Sequence, residues 1–389
     1  MCKDEILICG GKNERDCYSY HILKNEYKFI CSYPNEVKLT GHCVVKFVES
    51  KDSNETVLLS FGGLYKHTLM LRYVSVWGNN NGMNKTKNCN CWLPLTDSDN
   101  NLISIGRDED NYYGMRAVIG GRDNHLLFIT YYPSNIHVFD LITFQFIKRD
   151  SFPTNNNVHF HCLILKPEND FEITKKNANA NKANKNNIML LFCFMTGLSI
   201  EYDEDNNSFQ FHKVRVCTSI RSFYRYPFVC VDNFILFFGG VNRSGDTSIL
   251  LHKYSIIRNK WMKHEQPLSI SRGNYIALLS EDKSFVYMLG MPIDHDGVST
   301  LKKTEVKKWV VKGEEQWIFE DKHIVDIEDI NIDLEEMRQE LDIKKLKLCD
   351  IQKKKTEIEI IIEYWMHSLL INKTGWIDDF NVIILRYIL

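Results

Sequence analysis

Apolar residues along this chain come in short runs that stop at glycine or at a small polar cluster. ILICGG ends at Gly10 and Gly11, LLSFGG at Gly62 and Gly63, and ILFFGG at Gly239 and Gly240. LLFITYY near Thr130, LLFCFMTG near Gly197 and VYMLGM near Gly290 are weaker copies. Runs this short, rich in Leu, Ile, Val and Phe and bounded by turn residues, predict strands and not helices. Beyond each run comes an aromatic in a following strand, and a second aromatic seven or eight residues later. The pairs are Tyr20 and Tyr27, Phe139 and Phe146, Tyr202 and Phe209, Tyr254 and Trp261, and Trp309 and Trp317. In the second unit Trp77 and Trp92 correspond, parted by the insert GNNNGMNKTKNCN. Before each run lies another apolar strand: HCVVKFV from His42, RAVIGG from Arg116, HCLIL from His161, FVCV from Phe228 and YIALL from Tyr275.

The pattern predicts a four-stranded antiparallel sheet repeated about six times. The units span 4–40, 41–97, 113–152, 158–216, 224–266 and 272–322. One thin sheet cannot bury both of its faces, but six arranged radially can, each pressed on the next. The glycines then let the backbone turn through positive φ, or approach a neighbour where a Cβ would clash. The aromatics supply large apolar area between sheets. The stretch from Lys166 to Asn187 is rich in Asn and Lys and too poor in apolar residues to pack, so it reads as a disordered loop.

Diglycine after the second strand, then Tyr, then Trp at a fixed distance, resembles the kelch repeat. Gly239, Gly240, Tyr254 and Trp261 form a full copy. Unit one keeps Gly10 and Gly11 with two tyrosines, and unit two keeps Gly62 and Gly63 with two tryptophans. Unit three has its diglycine, Gly120 and Gly121, after the first strand instead of the second. Units four and six keep one glycine each. The resemblance covers residues 4–322 and implies an all-β fold, a six-bladed kelch-type β-propeller of the galactose-oxidase kind, most often used to bind proteins. Unit one starts at its second strand, so its sheet is expected to be incomplete. Residues 323–330 follow as a closing strand or a linker; KHIVDI, from Lys322 to Ile327, is the closing candidate.

Composition shifts beyond residue 330. Asp333 followed by Glu336 reads as a helix start. Leu334, Leu341, Leu348, Ile362 and Leu369 recur in one heptad column, with Met337, Ile351, Ile358 and Trp365 in another. The tail over 331–389 is therefore expected to hold a long helix at 333–371 and a short one at 378–388. It either folds back as a hairpin or joins two chains as a coiled coil. Its GWI-D-D-F ending is similar to that of kelch-like proteins in large protist families.

A net charge of −2 over 389 residues gives no general reason to expect nucleic acid or an anionic membrane as partner. No apolar run reaches the length of a membrane span. Asp4 and Glu5 stand where a secretory signal would be apolar, so a cytoplasmic location is expected. The twelve cysteines are scattered, and Cys9, Cys43, Cys162, Cys193 and Cys230 sit inside strand-like runs as small hydrophobes. No metal or other cofactor is expected.

The resemblance also brings an enzymatic alternative, since galactose-oxidase-like enzymes hold copper near the propeller axis with Tyr and His ligands. Here the first strands start at His42, Arg116, His161 and Tyr275, with Arg272 close by. These five residues form the candidate axial site, able to take a metal or an anion. His159 and His161 alternate and are expected on one side of their strand. No phosphate loop, HExxH pair, nucleophile elbow or dinucleotide fingerprint is present. The expected function is a non-catalytic scaffold that binds a protein through propeller loops, with the tail dimerising or docking. The alternative is a kelch-type copper oxidase or sugar isomerase acting at the axial mouth.

Overall fold

The computed structural model describes residues 4–47, 56–78, 89–154, 156–167, 187–265, 275–290, 300–310, 317–320, 322, 325 and 327–332. The chain divides into two compact units, Met1–Glu328 and Asp329–Leu389. Of the second unit, residues 329–332 are described and are helical. The heptad helix over 333–371, the short helix over 378–388 and Arg272 lie outside the described residues.

The first unit is a six-bladed β-propeller built from six small antiparallel sheets. Sheet one contains β1 (Glu5–Gly11), β2 (Glu14–His21) and β3 (Glu26–Ser32). Sheet two contains β4 (Cys43–Phe47), β5 (Thr56–Phe61), β6 (Thr68–Tyr73) and β7 (Trp92–Pro94). Sheet three contains β8 (Asn111–Gly120), β9 (Leu126–Tyr132), β10 (Asn135–Asp140) and β11 (Gln145–Ser151). Sheet four contains β12 (Cys162–Leu165), β13 (Asn187–Cys193), β14 (Thr196–Asp203) and β15 (Ser208–Lys213). Sheet five is built on β16 (Phe223–Tyr224), β17 (Phe228–Val231), β18 (Phe234–Asn242), β19 (Thr247–Ser255) and β20 (Lys260–His264). Sheet six contains β21 (Tyr275–Leu279), β22 (Phe285–Gly290) and β23 (Thr300–Glu305). The first strands β4, β8 and β12 stand side by side, as do β17 and β21, so these strands line the axis.

The continuous apolar runs of the sequence are the second strands. β5, β9, β13 and β18 are buried along nearly their whole length, because a sheet pressed between two neighbours hides both faces. The fourth strand of a sheet lies at the rim, and β11 is accordingly exposed along most of its length.

The paired aromatics have two tasks. Their rings meet across the third and fourth strands: Tyr20 pairs with Tyr27, Phe139 with Phe146, Tyr202 with Phe209, and Tyr254 with Trp261, all with centroids 4.7–5.0 Å apart. The first ring of each pair also packs on the sheet before it. Tyr254 meets Phe192, Tyr202 meets Phe128, and Tyr20 shares a buried cluster with Ile6 and Tyr287. That last contact joins sheet six to sheet one, so side chains close the ring. The tyrosine hydroxyls reach the turn that follows: Tyr20, Tyr202 and Tyr254 donate to Asn25, Asn207 and Asn259, at 2.5, 2.9 and 2.8 Å. Each of those asparagines has a positive φ, which its short side chain tolerates. Sheet three has lost both partners together, with Phe139 in place of tyrosine and Phe144 in place of asparagine.

Several expectations are corrected. Trp309 and Trp317 are not a cross-strand pair. Trp309 lies in the short helix α1 (Lys307–Val310) against Phe238. Trp317 opens β24 (Trp317–Phe319), which adds to the rim of sheet five beside β20. Trp77 lies beyond β6 and packs on His21 of sheet one, while Trp92 pairs with Leu71 and stacks on Tyr33. Within KHIVDI, the described residues 322, 325 and 327 are helical and not in a strand. Asn187 is not in a loop but starts β13, where its buried Oδ1 accepts the Gly121 amide at 2.7 Å. The thiols of Cys9, Cys17 and Cys31, far apart in sequence, stand in one row across sheet one.

The segment after β24 is fastened by a partly buried charge cluster. Arg215, itself buried, pairs with Glu320 and Glu328, and Arg221 forks onto Glu328. Burial alone would raise the Glu320 carboxyl, but the Arg215 guanidinium and the Thr218 amide outweigh it and hold it below the usual 4.5. A carboxylate with a depressed folded-state pKa stabilises above its ordinary value and loses that contribution as pH falls through the folded one. Stability measured from pH 7 down to pH 3 should therefore fall on the acid side of 4.5. Glu320→Gln should flatten that part of the profile, and an unchanged profile would show that the pair does not fasten the segment.

Candidate binding site at the propeller mouth

In each of sheets two to five, the backbone passes through one left-handed residue near the start of the first strand. These are Gly41 (φ 68°), Gly114 (φ 70°), Phe160 (φ 48°) and Arg225 (φ 51°). They are joined by hydrogen bonds: the Gly114 amide donates to the Gly41 carbonyl at 2.9 Å, Phe160 to Gly114 at 2.5 Å, and Arg225 to Phe160 at 3.2 Å. A partial ring of backbone bonds thus ties sheets two to five around the axis and fixes this mouth.

The ring sets the true alignment of the candidate residues. His42 and His161 directly follow the left-handed residue, whereas Arg116 comes two after it, level with Cys43 and Cys162. His42 belongs to the contact between sheets one and two. Its Nε2 lies 3.2 Å from the Cys9 carbonyl, and its ring lies 5.7 Å from that of His67. His161 is buried between sheets three and four with Nε2 2.5 Å from Thr130 Oγ1, and Thr130 pairs with Arg116. So the structure brings Arg116 and His161 together but leaves His42 elsewhere. Tyr275 begins β21. His159 and His161 do not share a side, because positive φ at Phe160 breaks the two-residue alternation between them.

Around Arg116 and His161 stands a cluster the sequence reading missed. The Arg225 guanidinium lies 4.1 Å from the Phe160 ring centre and 5.3 Å from that of Tyr224. Arg116 lies 5.8 Å from the same Phe160 ring. Arg243 lies 5.0 Å from Phe194, which stacks on Tyr224 with centroids 4.6 Å apart. His159 touches Tyr224, Phe160 and Phe194 edge-on or tilted. Burial, then the charges of Arg225 and Arg243, push the His159 imidazole below its usual value; burial, then Arg116, push His161 well below. Both are neutral near pH 7, and the positive charge of the mouth is carried by the arginines.

His42 and His161, the two candidate histidines, do not meet at one copper site of the kind the kelch resemblance implies. Among the described residues no three His, Cys, Asp or Glu side chains are placed to hold a metal ion. His42 and His161 serve different seams between sheets.

No protein-family model matches the chain, and no curated protein does. Among solved structures, that of YjhT, a propeller protein, is similar, with a TM-score of 0.51 and 12% identity over 82% of this chain and 95% of that one. The likeness is one of fold. It agrees with the six-sheet ring and carries nothing about the mouth. No helix among the described residues is long and apolar enough to cross a membrane.

Proposed function

We propose that the chain is a non-catalytic protein-interaction scaffold whose partner docks on the face that holds the mouth. The turns between second and third strands rise on this face beside the first-strand starts; the Leu64 amide, for example, donates to the Thr40 carbonyl at 2.9 Å. The observation that carries the reading is what those turns display. Leu64, Tyr65 and Met195 are 56, 48 and 65% exposed, apolar side chains held in place by rigid sheets around a polar centre. Rigidly presented loops with exposed anchors are how such scaffolds bind. The C-terminal unit is proposed to dimerise or to dock a second protein.

Affinity capture with the intact chain, followed by identification of what co-purifies, tests the reading. A partner retained by the native chain should be lost from a Leu64→Asp, Tyr65→Asp, Met195→Asp variant whose melting temperature is unchanged. Equal retention would remove this face from the proposal. Sedimentation of the intact chain should give a dimer mass if the tail self-associates, and a monomer mass would end the dimer reading of the tail. Stoichiometric copper or iron in the purified protein would replace the scaffold with the enzymatic alternative.

A further inference from the structure

We propose that the arginine and aromatic cluster at the mouth, built from Arg116, Arg225 and Arg243 with His159, Phe160 and Phe194, is a carboxylate-binding site. This deepens the scaffold reading and rests on it, in that the acid is taken to be a side chain of the docked partner.

The first argument is charge. Among the described residues no carboxylate pairs with any of the three arginines. Arg116 donates to the Met115 carbonyl at 3.0 Å, and Arg225 to the Tyr113 hydroxyl at 3.4 Å. Burial first, and then the neighbouring Arg225, hold the Arg116 guanidinium below its usual value. Arg116 and Arg225 are half-buried, and like charges held in such a place repel unless an anion joins them.

A second argument comes from hydrogen bonding. Arg225 Nε is a donor in every protonation state, yet it is buried without a partner; His159 Nδ1, a donor in one of its two neutral tautomers, is also buried without one. A buried N–H without a protein partner calls for ordered water or a ligand to complete it.

Backbone strain supplies the third. Phe160 and Arg225 occupy, in sheets four and five, the left-handed place that Gly41 and Gly114 fill in sheets two and three. Phe194 (φ 52°) occupies the place of Gly63 and Gly240, since Phe192 pairs with Cys162 as Phe61 pairs with Cys43. Three positions where glycine relaxes the backbone elsewhere in the ring thus carry bulky side chains here, and all three point to one cluster. Backbone strain of this kind clusters at functional sites.

The shape of the slot selects the anion. The Phe160 and Tyr224 rings lie over the Arg225 guanidinium, so its edge, where Nη2 also reaches the Tyr113 hydroxyl, offers donors in one plane. A planar carboxylate can meet that edge with two oxygens, whereas a tetrahedral oxyanion would push an oxygen toward a ring.

Calorimetric titration of the intact chain with hexaglutamate peptide, glutarate and inorganic phosphate tests this. Hexaglutamate is expected to bind, with glutarate competing more weakly. Arg225→Gly and Arg116→Gln should each weaken peptide binding by about tenfold or more. Arg225→Gly should also raise the melting temperature, because it restores the glycine the backbone favours, so lost binding cannot be blamed on unfolding. No peptide binding, binding indifferent to Arg225→Gly, or phosphate bound more tightly than glutarate would overturn the carboxylate site. Glutarate bound as tightly as the peptide would overturn the link to a partner's side chain. The scaffold reading is judged separately, by capture on Leu64, Tyr65 and Met195.

Discussion

Trp261→Ala is expected to lower the free energy of unfolding by about 3–5 kcal/mol, while Tyr27→Ala costs about 1 kcal/mol. The two residues hold the same place in the repeat, each facing the third-strand tyrosine across the sheet. Their surroundings differ. Trp261 is 2% exposed, sits among Phe192, Phe237 and Tyr254, and donates its indole N–H to the Arg215 carbonyl at 2.7 Å. Truncating it opens a cavity between sheets four and five and strips a partner from the backbone that carries the Glu320 and Glu328 pairs. Tyr27 is 43% exposed at the rim of sheet one and loses only its contact with Tyr20. Denaturant unfolding of both variants beside the parent checks this. Equal losses would mean that the repeat position, and not the seam it fills, sets the energy.

That contrast also explains how far the sequence could be read. Glycine pairs and spaced aromatics reflect a demand every sheet shares, burial against two neighbours, so they recur and reveal the ring. The unit at 272–322 was harder because its elements answer to a neighbour. β24 satisfies the open rim of sheet five, and Trp309 fills space beside Phe238, although both fall after the strands of sheet six. No local pattern distinguishes a strand that completes its own sheet from one that extends another. The mouth was harder still. Aligning first strands by their leading polar residue set Arg116 level with His42, one position away from the register that the left-handed residues define. Arg225 and Phe160 stand where the repeat elsewhere has glycine, so a search for recurring residues passes over them. The readable signal was an absence: sheets four and five lack the glycine before the first strand.

Gly239→Ala is expected to cost more than about 4 kcal/mol, within the range that marks a specific clash, and Gly245→Ala about 1–2 kcal/mol from its left-handed backbone alone. Both residues have positive φ, 79° at Gly239 and 88° at Gly245, so each substitution incurs that strain. What separates them is space. A Cβ on Gly245 would meet nothing within 4 Å, but one on Gly239 would stand 2.1 Å from the Ser248 carbonyl oxygen. That oxygen belongs to the backbone of the paired strand β19, at the bulge where register shifts between Phe238 and Gly240, and cannot turn aside as a side chain would. Relief would require β18 and β19 to part, loosening β18, whose Phe237 packs on Trp261. The difference between the two variants in denaturant unfolding therefore measures close approach with conformational strain subtracted. If it vanished, the diglycine would serve backbone torsion alone, and the tight crossing of the two strands would not be what keeps glycine at the end of the second strand.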